Sequence, residues 1–251
     1  MDLGLSGRTA AVAAASSGLG LAAAKALARE GVTVAICGRR QARIDEAVAE
    51  VGEGAIGVVA DVSTPDGATD FVAQATAALG QVDILVANAG GPPSGTFAST
   101  PLEAYIPALQ LNLLSTVAMC QAAVPPMADR RWGRVVAITS ASARQPIPTL
   151  ILSNTARAGA TGFLKTLALE IAEHGVTVNS VQPGIHATAR FRQLHGHDPD
   201  DIAAVAENIP VRTVGQAEDF GRVVAFLCST SARFLTGAAI PVDGGASRGL
   251  Q

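Results

Sequence analysis

Short apolar runs alternate with helix-patterned segments along this chain, and no other feature leaves so few folds open. Thr9–Ala15, Thr33–Cys37, Ile56–Ala60, Asp83–Ala87, Arg134–Ser140, Val176–Val181 and Ala238–Val242 read as strands. Between them, Leu19–Glu30, Gln41–Val51, Pro65–Leu79, Pro101–Met127, Ile151–Glu173 and Ala217–Cys228 carry helical spacing. Thr64-Pro65 opens one helix and Gly80 stops it. The strand runs are apolar on both faces, which is the mark of a parallel sheet covered by helices on both sides. The pattern predicts a single doubly wound, Rossmann-like α/β domain over 1–251, seven-stranded, with its ligand at the carboxyl ends of the strands. The segment 185–210 is the polar, irregular insertion. It follows a strand's carboxyl end, where a substrate lid belongs.

Composition removes several classes of function. The 251 residues hold 18 Lys and Arg against 21 Asp and Glu, a net charge of -3, with no basic block. Sequence-independent nucleic-acid binding is not expected of such a chain. A charged fraction of 16% and a 49% hydrophobic content argue against disorder. No stretch approaches the roughly 18 uninterrupted apolar residues of a membrane span. The opening Met1–Arg8 lacks the pattern of a signal peptide. Cys37, Cys120 and Cys228 are far apart and odd in number, so they read as reduced buried thiols rather than a disulfide or metal set. A cytoplasmic location is the expectation.

Chemistry enters after the first strand. Ala13-Ala14-Ala15-Ser16-Ser17-Gly18-Leu19-Gly20 runs straight into a helix. Gly18 and Gly20 let the backbone approach a pyrophosphate, and the helix offers free N–H groups and a positive dipole end. The strand before it and the βαβ units after it supply the context this short motif needs.

With these residues the chain resembles the short-chain dehydrogenase/reductase superfamily, most closely its 3-oxoacyl-acyl-carrier-protein reductase-like branch. The family motif Thr-Gly-x-x-x-Gly-x-Gly has Ala13 for its Thr and Ala14 for its first Gly here. If that position needs positive φ, alanine is strained there by about a kcal/mol. Asp61-Val62 is similar to the pair that contacts adenine, and Asn88-Ala89-Gly90 to the turn after the fourth strand. Asn112 matches the helix asparagine, and Pro183-Gly184 the end of the sixth strand. Thr188 sits where a threonine meets the nicotinamide carboxamide. Phe234–Gly245 is similar to the C-terminal signature. Eighteen residues past Gly20 stands Gly38, followed by Arg39 and Arg40, where an acidic residue selects NAD. No carboxylate repels a 2′-phosphate there, and arginine forks pair well with one. The expected cofactor is NADP(H), with NAD(H) second.

The family works with Ser, Tyr, Lys and Asn. The resemblance makes Ser140 the substrate-binding serine, with Ser142 a second candidate, and Asn112 the relay asparagine. The Tyr-x-x-x-Lys window then reads Ser153-Asn154-Thr155-Ala156-Arg157. The chain's one tyrosine, Tyr105, lies outside that window and reads as a packing aromatic, and Lys165 is too far along the helix to replace the lysine. Arg157 can still hold ribose hydroxyls. His186 is the first alternative acid, ahead of His195 and His197 in the lid, while His174 reads as a helix cap. Arg144 and Gln145 follow the serine strand and read either as facing the substrate entrance or as an ordinary exposed loop pair. The expected activity is NADP(H)-dependent interconversion of a carbonyl and a hydroxyl with a non-standard proton donor. The alternative is a dinucleotide-binding protein without redox turnover. Small residues Ala156, Ala158, Gly159, Ala160 and Gly162 permit close helix contact, and the resemblance implies a homotetramer or homodimer.

Overall fold

The structure, a computed structural model, describes residues 2–189, 191 and 198–249. The strands are β1 (Thr9–Val12), β2 (Thr33–Gly38), β3 (Ile56–Val59), β4 (Ile84–Ala87), β5 (Gly133–Ile138), β6 (Val176–Pro183) and β7 (Ala239–Val242). They form one sheet of 7 strands in the order β3-β2-β1-β4-β5-β6-β7, and every pairing is parallel. The expected doubly wound sheet is therefore present. Strand order reverses between β1 and β4, which opens a crevice at their carboxyl ends.

The helices are α1 (Gly18–Arg29), α2 (Gln41–Val51), α3 (Pro65–Leu79), α4 (Tyr105–Leu109), α5 (Ser115–Asp129), α6 (Ile151–Ile171), α7 (Pro199–Ala206) and α8 (Ala217–Cys228). Two cores lie on opposite faces of the sheet. On one, α1 and α8 bury Leu27, Ile36, Val181 and Phe220. On the other, α3, α5 and α6 bury Phe71, Leu85, Met119 and Leu164. A Cβ on Gly221 would stand 2.4 Å from the Ala22 carbonyl oxygen, so only glycine lets α8 lie this close to α1. The start of α3 is capped as its sequence predicts. Thr64 Oγ1 accepts from Gly67 N at 3.2 Å, with Pro65 at the first helical position.

The free edge of the sheet is blunted. β7 carries Pro241, tolerable at an edge because proline donates no backbone hydrogen bond. Arg144 Nη2 donates to Ala239 O at 3.0 Å and Lys165 Nζ to Gly237 O at 3.2 Å. These side chains occupy carbonyls that a free edge otherwise presents to another chain.

Three sequence expectations need correction. β1 ends at Val12 rather than running to Ala15, because the chain turns at Ala14 with φ 47. The region 101–127 is not one regular helix. It divides into a 3-10 turn (Leu102–Ala104), α4, a π turn (Gln110–Leu114) and α5. The segment 185–210 is not wholly irregular, since it contains α7, and Phe191, Ile209 and Val214 form a small apolar cluster of their own. His195 and His197 lie outside the described residues. The run Leu102–Asp129 is long and apolar enough to cross a membrane by length and composition. Its residues Met119, Ala123, Val124 and Met127 are buried in the core beside α3, as in a core helix.

Candidate active site

The phosphate turn is held from both sides by its neighbours. Ala13 N donates to Val86 O at 3.0 Å and Ala15 N to Cys37 O at 2.9 Å. Ala14 N donates to the Cys37 thiol at 3.3 Å. Asn88 Nδ2 donates to Ala13 O at 3.2 Å and Ala14 O at 3.3 Å. Asn88 thus ties the end of β4 to the turn after β1 and sets the floor of the crevice. Gly20 is indispensable to this closeness, because a Cβ there would stand 2.8 Å from both Ala14 O and Asn88 Nδ2. Gly18 has φ 62 and opens α1. Ser17 stands at the N-cap without a side-chain cap bond, and the first turn has no acidic residue. The leading N–H groups of α1 therefore remain available to an anion. Thr188 lies across from this turn, its Cγ2 3.9 Å from where a Gly18 Cβ would be. Leu19 is half-buried beside it.

Ala14 does adopt the left-handed conformation, with φ 47. Glycine there removes a strain of about 1–2 kcal/mol and loses about 0.4–1 kcal/mol through its freer unfolded chain. Ala14→Gly is expected to stabilise the protein by the difference, about 0.5–1 kcal/mol, read as a rise of a few degrees in Tm. A fall in Tm means the turn prefers alanine for its packing.

On the adenosine side, β2 ends at Gly38, where a Cβ would press to 2.9 Å from Ser16 Oγ. Arg39 and Arg40 follow, both exposed, with Arg40 at the N-cap of α2. Asp61 is exposed just past β3, its Oδ1 accepting from Ser63 N at 3.0 Å, and Val62 is buried. These positions follow the carboxyl ends of β2 and β3.

At the other end the π turn earns its place. Its extra residue turns Asn112 inward, 2% exposed, where Nδ2 donates to Gly90 O at 2.7 Å. Asn112 Oδ1 is buried and has no protein partner. Asn88, Ala89 and Gly90 thus form one turn, its start bound to the phosphate loop and its end to Asn112. Ser140 follows β5, half-buried, its Oγ accepting from Ser142 N at 3.1 Å. Ser153 and Arg157 lie one turn apart on α6. Ser153 is half-buried. Arg157 is 8% exposed, and its Nη1 donates to the Ile138 carbonyl at the end of β5. Pro183-Gly184 closes β6, with Gly184 N bonded to Val242 O at 3.0 Å. Arg39, Arg40 and Ser140 follow the carboxyl ends of strands, Ser153 and Arg157 lie on α6, and Asn112 lies on the π turn between α4 and α5.

Other candidates hold structural positions. His186 is 6% exposed, its ring edge-on to Phe220 with centroids 5.3 Å apart, and its Nδ1 is 3.3 Å from Gly184 O. Burial holds its pKa below the ordinary 6.5, against smaller opposing effects of the Gly184 carbonyl and of Asp219 and Asp243. Above that value neither folded nor unfolded chain carries the proton. Below it the unfolded chain binds a proton that the folded one resists, so stability falls as pH drops. Thermal melting from pH 7.5 to 5.5 is expected to show this loss in the wild type and a flatter profile in His186→Gln. Equal slopes reject a neutral buried His186.

Gln145 Oε1 accepts from Arg248 N at 2.8 Å and pins the C-terminal segment. Arg144 caps β7. Both interactions are structural, so neither residue is committed to substrate. Thr188 Oγ1 accepts from Phe191 N at 3.2 Å, capping a turn in the segment after β6. Tyr105 is half-buried where α4 meets α6, and His174 is half-buried beside Glu173. Burial pushes the three thiols up to about 12, which removes them as nucleophiles at neutral pH. The Cys37 contact with the phosphate turn was not read from sequence, because no local signal distinguishes it from an ordinary core cysteine. A largely apolar cavity of about 370 Å³ lies beside the site, under Pro92, Pro93 and α4, and reaches Leu111 and Leu152. A second, of about 310 Å³, lies apart from the crevice between α6 and β7.

A parallel sheet with a glycine-led helix at its switch point and a polar cluster on the adjoining strand ends defines a dinucleotide-dependent oxidoreductase of Rossmann type. The chain belongs to the short-chain dehydrogenase/reductase superfamily. The family model described as enoyl-(acyl carrier protein) reductase matches residues 13–247. The chain is 35% identical over 245 residues to dehydrogenase/reductase SDR family member 4 of Bos taurus, covering 96% of this chain and 88% of the relative. Among solved structures it is similar to L-sorbose reductase from Gluconobacter frateurii complexed with NADPH and L-sorbose, with 31% identity, TM-score 0.93 and 100% of both chains covered. It is also similar to YwfH, an NADPH-dependent reductase involved in bacilysin biosynthesis, with 25% identity and TM-score 0.92 over 97% of this chain and 99% of that one.

Proposed function

We propose that the protein reduces a carbonyl to a hydroxyl, with NADPH rather than NADH as its partner and water rather than a phenol as proton donor. The observation that carries the reading is the pairing of the uncapped, glycine-led α1 with exposed Arg39 and Arg40 at the end of β2. The helix start suits a pyrophosphate and the two guanidiniums a 2′-phosphate, so the residues present fit NADP(H). The relatives described with NADPH support the same choice. When bound, NADPH supplies the hydride. Ser140 Oγ orients the substrate oxygen, Asn112 Oδ1 accepts from a water, and Arg157 holds positive charge over the ribose side of the crevice. Ser153 is too short to reach the substrate oxygen directly, and its hydroxyl is no better an acid than a mobile water that solvent can reprotonate. It serves as a ligand for the donor water, whose proton passes to the substrate oxygen while solvent neutralises the hydroxide left behind.

The substrate class is a ketone, an aldehyde or a 3-oxoacyl thioester, the last following the 3-oxoacyl reductase-like branch of the family. The test is hydride transfer from 4-deuterated NADPH across that panel. Deuterium in a product supports the reading, and none from any member overturns it. A second reading, dinucleotide binding without turnover, draws on Arg157, whose guanidinium is spent on the Ile138 carbonyl. It predicts micromolar NADPH binding with no deuterium transfer.

Self-association as a homotetramer fits the fully exposed Phe234 and the exposed Leu169 and Leu102, which are large apolar side chains on the turn before β7, on α6 and on the 3-10 turn before α4. A sedimentation run returning the 25.3 kDa monomer rejects it. Three buried free thiols fit a reducing, cytoplasmic location.

A further inference from the structure

Gln182 is a polar side chain in an apolar place. It is 0% exposed, and neither its Nε2 nor its Oε1 has a protein partner. Leaving a whole amide dry is costly, so a residue of this kind points to a bound group. Its position on β6 says where. Val178 and Ser180 line the cleft beneath Thr161 and Leu164 of α6, and alternation along a strand puts Gln182 on that same face. Thr139 N bonds Val181 O at 2.9 Å, which sets Gln182 beside Thr139, one residue below Ser140.

A second unpartnered group lies on a turn that packs against the same strand and helix. Ser142 is 1% exposed and its Oγ has no protein partner. It lies on the 3-10 turn Ala141–Ala143, which packs against both α6 and β6. Its own N–H is bonded to Ser140 Oγ. A hydroxyl and an amide, both buried and both on elements that meet near Ser140, offer a water the polar partners that a stable buried site requires.

We propose that Gln182 and Ser142 hold a buried water beneath Ser140, and that this water keeps the proton donor oriented on the substrate oxygen. The inference rests on the water-donor reading above and makes Gln182 a positioning residue. The reaction stays balanced. The donor water gives one proton to the substrate oxygen as hydride reaches the carbonyl carbon, and the hydroxide is neutralised by solvent. The buried water exchanges hydrogen bonds only.

The experiment compares wild type with Gln182→Met, Ser142→Ala and the double variant. Methionine keeps the volume of glutamine and removes its polar atoms. The expected result is a fall in kcat of roughly 10-fold or more in each single variant, with KM and NADPH Kd unchanged. The double variant is expected to match the worse single within about two-fold, because both act through one water. Ser142→Thr, which keeps the hydroxyl, is expected to retain activity. Gln182→Met with full kcat and a higher Tm overturns the proposal, since only an unpaired amide is improved by its removal. A high-resolution crystal structure of the unliganded protein gives a readout independent of turnover. A water within about 3.2 Å of the Gln182 amide and Ser142 Oγ is expected, and a dry amide overturns the site. If wild type reduces no carbonyl, the donor reading and the water's role in it fall together, while density and melting still decide the water itself.

Discussion

Replacing Ser153 by Tyr and Arg157 by Lys together is expected to raise kcat for ketone reduction by roughly 10²–10⁴-fold, the usual worth of a positioned general acid. The two positions lie one turn apart on α6, so both new side chains meet the crevice. Ser153 is half-buried, which leaves a phenol room to reach forward. A phenol with a pKa of about 10 is a far better acid than an aliphatic hydroxyl. Lysine at 157 brings a compact charge beside that phenol and favours its ionised form. Arginine is anchored instead on the Ile138 carbonyl. Arg157→Lys alone is expected to change little, because no phenol is present to be tuned. Steady-state kinetics on a ketone and an aldehyde panel measure the gain. If NADPH still binds and no gain appears, the substrate cavity is no longer shaped for a phenolic donor, and the water-donor reading loses its main rationale.

Arg39→Ala is expected to weaken NADPH binding by roughly 10–10²-fold, and Arg39→Ala with Arg40→Ala by more, while NADH affinity moves by less than about two-fold. Each charge-assisted hydrogen bond to a phosphate is worth about 1.5–3 kcal/mol. The two side chains are exposed just past β2. NADH has no 2′-phosphate for them to hold. Fluorescence titration with both nucleotides separates the effects. An equal loss for both means the arginines act on the shared pyrophosphate, and an unchanged NADPH affinity removes them from the site.

Much of the cofactor end was readable because it is local. A strand, a turn with Gly18 and Gly20 and a helix occupy adjacent positions in the chain, so their order alone implies an anion site. Even the strain at Ala14 followed from its place in the motif. The chemical end is non-local. Asn112 is useful only because a π turn rotates it inward onto Gly90, and periodicity cannot register one inserted residue in a long apolar helix. His186 was a reasonable acid by its nearness to Gly184. Its contact with Phe220 depends on how α8 packs, and that is written in no local pattern. Arg144 and Gln145 could be read toward substrate or as a plain loop pair, and only the fold shows them bonded to a free sheet edge and the C-terminal segment, distant in sequence.

The sequence by itself determined the fold and the cofactor class, because strand and helix periodicities and a glycine turn are properties of neighbouring residues. It also determined that Tyr105 is the chain's one tyrosine. Only the tertiary structure decided which polar groups are spent on the fold and which are left for chemistry. Asn88, Arg144 and Gln145 are bonded by partners far along the chain, while Asn112 Oδ1, Ser142 Oγ and the Gln182 amide are buried without protein partners. The physical reason is that hydrogen-bond satisfaction is settled by what packing brings within reach, and no spacing along a chain reports it.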